Sequence, residues 1–67
     1  MTKQVEFYYL FDEHTRTVFW TEDEDAQEDR PDLYFLGSSM NPNKRMTVAT
    51  MVQDMDRANG YKIKPLP

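Results

Sequence analysis

A chain of 67 residues without a single cysteine must hold itself together by packing, alone or with self-association. That one fact removes disulfides, thiolate metal sites and a cysteine nucleophile at once. At this length the fraction of surface that folding can bury is small, so the core has to be built from few positions. Aromatic side chains bury the most area per residue, and nine are present: Phe7, Tyr8, Tyr9, Phe11, Phe19, Trp20, Tyr34, Phe35 and Tyr61. The length suits one domain spanning 1–67.

Val5–Phe11 and Thr17–Thr21 are rich in strand-favouring side chains, and the polar stretch between them suits a turn. We read the pair as an antiparallel hairpin with a four-residue loop, Asp12 to Thr15. That register places Phe11 opposite Arg16, Tyr9 opposite Val18 and Phe7 opposite Trp20. One face then holds Val5, Phe7, Tyr9, Phe11, Val18 and Trp20 and is expected to be the core. The other holds Glu6, Tyr8, Leu10, Thr17, Phe19 and Thr21. A half-polar face of an antiparallel sheet usually looks at solvent. Leu33–Leu36 is expected to form a short third strand stopped by Gly37, followed by loop from Ser38 to Asn43.

Val48, Met51, Val52 and Met55 fall at i, i+3, i+4 and i+7, one stripe of a helix. Thr47 as N-cap, a staple of Met46 on Met51, and Gly60 as left-handed stop predict a helix over 47–59. Residues 61–64 alternate and are compatible with a fourth strand. The expected fold is α+β: an antiparallel three- or four-stranded sheet, β-β-β-α with an optional C-terminal β, packed on one helix.

Charge is unevenly distributed. Residues 1–32 carry ten acids against Lys3, Arg16 and Arg30, whereas residues 33–67 carry Asp54 and Asp56 against Lys44, Arg45, Arg57, Lys62 and Lys64. Seven of the acids crowd into residues 22–32. So acidic a run cannot bury enough apolar area to offset its ordering entropy, and it is expected to be an exposed loop.

No catalytic constellation emerges. His14, the single histidine, lies beside Asp12 and Glu13 in the hairpin loop with no second ligand or nucleophile nearby. Asp23, Asp25, Gln27 and Asp29 alternate as in a calcium loop, but the turn glycine is missing and Tyr34 stands where the closing glutamate belongs. Ser38 and Ser39 follow one glycine, which makes neither a phosphate loop nor a nucleophile elbow. No enzyme, cofactor or metal is expected.

What remains is binding. The aromatic sheet face offers Tyr8, Leu10 and Phe19, more than a monomer displays without reason. Beside it the acidic run offers Glu22, Asp23, Glu24, Asp25, Glu28 and Asp29, a negative field that would steer toward a basic partner and imitate the charge of a nucleic acid. These residues define the expected partner-binding surface of a small protein–protein interaction module, an inhibitor or adaptor. Such small acidic chains are often encoded by phages and other mobile elements, an association at the level of the class only. A homodimer seam over the same aromatic face is a second way to use it. The alternative is a nucleic-acid-binding module using the basic residues Lys44, Arg45, Arg57, Lys62 and Lys64. Glu6 and the acidic run would repel phosphates from the aromatic face, so nucleic acid ranks below protein. No segment is long and apolar enough to cross a bilayer and no signal pattern opens the chain, so the expected setting is the cytoplasm, without membrane association.

Overall fold

The computed structural model describes residues 5–52 and 60–66. Four strands form one sheet in the order β3-β1-β2-β4, with two helices: β1 (Phe7–Asp12), β2 (Thr17–Thr21), α1 (Ala26–Asp29), β3 (Tyr34–Ser39), α2 (Lys44–Met51) and β4 (Lys62–Pro65). The fold is α+β, as the sequence predicts.

The β1–β2 hairpin forms, two residues out of the expected register. Tyr9 faces Trp20, Phe11 faces Val18 and Asp12 faces Thr17, leaving a four-residue loop at 13–16. Two local features move the loop. Arg16 adopts φ 53°, a left-handed conformation that turns the chain one residue later than expected. The Asp12 carboxylate accepts a 2.9 Å hydrogen bond from the His14 backbone N–H, as aspartate does at turn starts. Because side chains alternate with period two, a two-residue slip leaves every residue on its expected face.

β3 pairs antiparallel with β1 and does not stop at Gly37. Its pairing passes from Phe35 opposite Leu10 to Gly37 opposite Tyr9, so Leu36 is an extra residue in a bulge and the strand runs on to Ser39. Gly37 takes φ 146°, where L side chains are strained. A Cβ there would meet the Met51 Cε at 3.4 Å, so α2 packs close over this point. Ser38 and Ser39, expected in a loop, are therefore strand residues.

α2 begins three residues before the expected N-terminus. Asn43 is the N-cap, its side chain accepting from the Met46 N–H at 3.1 Å. The Thr47 hydroxyl, expected to cap, instead donates to the Asn43 carbonyl at 2.9 Å from inside the first turn. Met46 is 59% exposed and makes no staple. Val48 and Val52 are buried as the stripe predicts. α2 ends at Met51 with Val52 as its C-cap, short of the expected residue 59; the expected contact of Tyr61 with Met55 involves residues 53–59, outside the described residues. Gly60 has φ 71°, the left-handed conformation expected of it.

β4 forms and pairs with β2 in parallel, Val18 opposite Ile63 and Trp20 opposite Pro65. The all-antiparallel sheet is thus corrected to a mixed one. β3 and β4 run the same way because the segment between them, α2 included, carries the chain back to the end where β3 began.

Both faces of the sheet are covered. Tyr9, Phe11, Val18, Val48 and Val52 form the larger core beneath α2, with Phe7, Trp20, Leu36, Met51, Tyr61 and Ile63 around it. At its margin Phe7 and Trp20 meet edge to face, centroids 5.9 Å apart, and the Lys44 ammonium sits 4.2 and 4.4 Å from the two ring centres. The opposite face carries a second, smaller core of Leu10, Ala26 and Leu33, with Phe19, Phe35 and Leu66 packed against it.

Candidate functional site

The second core changes the meaning of the acidic run. Residues 22–32 are not a free loop, because Ala26 inside the run and Leu33 just after it are buried against Leu10. A short ladder of hydrogen bonds then shapes the segment. The Thr21 hydroxyl accepts from the Asp23 N–H at 3.1 Å, and the Asp23 carboxylate accepts from the Asp25 N–H at 2.9 Å. The Glu28 and Asp29 N–H groups donate to the Asp25 carbonyl, and that of Arg30 donates to the Ala26 carbonyl. These bonds close the single turn of α1. The Leu33 N–H donates to the Arg30 carbonyl and returns the chain to the sheet. The entropy objection to ordering this run fails because two apolar residues suffice when each is placed against a sheet that already exposes Leu10 and Phe35.

Leu10, expected on a docking face, is fully buried, so it serves the core and contacts no partner. Phe19 is half-buried beside it and belongs to the same cluster. Tyr8 is also half-buried, and it lies where Glu22, Asp23, Glu24 and Asp25 come together with Val5 and Glu6 around one open groove. Glu28 and Asp29 are exposed on α1, outside that groove. The sequence-derived surface therefore divides: its apolar half is interior, and its acidic half surrounds a tyrosine.

Glu6, placed on this face by the sequence but not counted among its partner-binding residues, joins the site. It accepts from the Tyr8 hydroxyl at 3.0 Å and, through its other oxygen, from the Ser38 hydroxyl at 2.9 Å. Strand alternation alone puts Glu6 and Tyr8 on one face, which was the available signal. Ser38 reaches Glu6 only because the bulge carries β3 past Gly37. The Tyr8 phenol is pushed above its ordinary value, first by its hydrogen bond to the Glu6 carboxylate, then by partial burial and the negative charge of Glu6 and Glu24. Tyr8 therefore presents a neutral, pre-oriented hydroxyl within an anionic surround.

In the run itself Arg30 grips Asp32 through two 3.1 Å bonds, which hold the Asp32 carboxyl below its usual range. No other ion pair is formed among the described residues. Glu22, Asp23, Glu24, Asp25, Glu28 and Asp29 are thus left exposed and uncompensated. Groups so arranged accept charge-assisted hydrogen bonds from lysine or arginine side chains. Among the described residues no group of three or more His, Asp or Glu side chains is placed to hold a metal ion. No described helix is long and apolar enough to cross a membrane.

Among the described residues the basic side chains of the alternative reading lie on separate elements, Lys44 and Arg45 on the first turn of α2 and Lys62 and Lys64 on β4. Lys44 is engaged over Phe7 and Trp20, and Lys62 and Lys64 are exposed on β4 at the far edge of the sheet. Arg57 lies outside the described residues. His14 sits exposed in the hairpin loop. No family model, curated protein or solved structure matches the chain.

Proposed function

We propose that this chain is a protein-interaction module that presents a fixed set of carboxylates to a basic partner. The observation that supports this reading is the anchoring of the acidic run by Ala26 and Leu33 onto the sheet. A solubilising loop needs charge but no arrangement. Here Glu22 to Asp25 are held around Tyr8 in one groove, so their spacing is available for recognition before any partner arrives. An anionic surface of this kind fits an inhibitor that occupies the basic face of a nucleic-acid-binding protein in the cytoplasm. Tyr8 would contribute a rigid ring at the centre of the charged rim, the position in which aromatic residues contribute most to interfaces.

The test is capture of partners from the native cell extract by the wild-type chain and by a variant carrying Glu22→Gln, Asp23→Asn, Glu24→Gln and Asp25→Asn. A protein retained by the wild type at low salt, lost by the variant and displaced by duplex DNA or RNA is the expected result. Equal retention by both chains, or retention insensitive to salt, would overturn the proposal.

A further inference from the structure

Lys44 occupies a setting made for a cation rather than for a lysine in particular. Its ammonium sits 4.2 Å from the Phe7 ring centre and 4.4 Å from that of Trp20. The two rings stand at 85° to one another, centroids 5.9 Å apart, so they form a corner and the ammonium fills it. Among the described residues no carboxylate pairs with that ammonium. Lys44 also lies in the first turn of α2, which holds no acidic residue and where the helix dipole disfavours positive charge. What holds the ammonium in place is therefore the negative π-surface of the two rings.

We propose that the Phe7–Trp20 corner is a binding site for a methylated ammonium group, the kind carried by choline or trimethyllysine, and that Lys44 is its built-in competitor. The corner is preformed, because Phe7 and Trp20 stand half-buried on neighbouring strands at the margin of the larger core. It attracts charge, yet no described carboxylate is there to accept an N–H. A primary ammonium entering it gives up hydrogen bonds to water that the rings do not replace in kind. A trimethylammonium has no N–H to leave unpaired and keeps its charge, so it suits the corner better than the group now in it.

Lys44 can leave without disturbing the fold. It is the first residue of α2 and partly exposed, whereas Asn43 caps the helix and the buried Val48 and Val52 anchor it. Release also returns rotamer freedom to a long side chain. The corner is separate from the acidic groove, since Phe7 and Tyr8 are neighbours in β1 and point to opposite faces of the sheet. Each site can fail without the other.

Titration of the full chain with choline at constant ionic strength, followed by the fluorescence of Trp20, the single tryptophan, tests this. The expected result is saturable binding with a dissociation constant on the order of 1 mM, and no saturation with the uncharged carbon isostere of choline. Lys44→Ala empties the corner and should tighten binding about two- to fivefold, the worth of an exposed contact of this kind. Phe7→Leu removes one wall and should abolish saturation. Should Phe7→Leu disturb folding, Lys44→Ala still decides, because it removes no buried side chain. A peptide carrying trimethyllysine distinguishes the sources: tighter binding than choline assigns a methylated lysine of a partner, and equal binding assigns the head group alone. No saturation with either probe, an equal response to the isostere, or an affinity indifferent to Lys44→Ala would overturn the proposal. Loss of binding in the variant carrying Glu22→Gln, Asp23→Asn, Glu24→Gln and Asp25→Asn would also overturn it, by placing the cation on the acidic run.

Discussion

Replacing Leu10 by alanine distinguishes an interior leucine from a docking one. Leu10 is fully buried, with Ala26, Leu33, Phe19, Phe35 and Leu66 around it, so its truncation leaves the space of an isopropyl group between the sheet and one short turn. Truncating a leucine in such a setting costs about 2–5 kcal/mol, from lost transfer free energy and the cavity left behind. At about 0.05–0.15 kcal/mol per residue a chain of this length has roughly 3–10 kcal/mol in all, so the loss is a large share of the total. Urea unfolding followed by fluorescence is the assay. The chain has a single tryptophan, Trp20, packed on the opposite face against Phe7, so the signal reports loss of the whole fold rather than of the second core alone. With a slope near ~1 kcal/mol/M, expected for so small a domain, the midpoint falls by about 2 M or more. The same substitution at Leu33, 8% exposed, should cost less and should strip hydrogen-exchange protection first from the acidic run. A Leu10→Ala variant within about 0.5 kcal/mol of wild type, as surface positions usually are, would refute the second core and free the acidic run from the sheet.

Two further substitutions probe the α2 side of the sheet. The Tyr9 hydroxyl is buried with no partner at hydrogen-bonding geometry among the described residues, so Tyr9→Phe should be neutral or stabilising by up to about 1 kcal/mol in the same urea assay; a loss above that would show a bond the hydroxyl is not seen to make. Burial pushes the Tyr9 phenol up, partly offset by the Thr47 hydroxyl, so the stability tied to its neutral form is complete below the ordinary value near ~10 and is lost as pH rises through the higher folded value. Alkaline unfolding should accordingly be milder in Tyr9→Phe, and an unchanged alkaline limb would discount this group. Gly37→Ala should cost about 1 kcal/mol or more, because φ 146° strains an L residue even though the new methyl would meet Met51 at ordinary contact distance, and equal thermal stability would count against the bulge.

Much of the sheet was legible in local pattern. Alternation in Val5–Phe11 and Thr17–Thr21 assigned each residue to its face, and the faces survived a two-residue error in register because that error is even. The Val48–Val52 spacing marked the buried stripe of α2, whereas its start was misplaced because Asn43 and Thr47 are both competent caps and only Asn43 has its side chain on a free N–H. The site was half legible. Acid density located the charged rim, but Leu10 looked like surface because the two residues that cover it, Ala26 and Leu33, seemed too few to order the run between them.

The amino-acid sequence by itself determined a cysteine-free α+β domain, an aromatic hairpin with one inward face, an amphipathic helix and an acidic segment ahead of β3. Those are properties of residue type and spacing within a dozen residues. Three further features were decided only by tertiary structure: the direction of β4, the continuation of β3 through Gly37, and the closing of the second face by the acidic run. Each depends on which distant surface a short apolar residue meets. Ala26 carries no local signal of burial, and only the finished sheet supplies the neighbours that make burying it favourable.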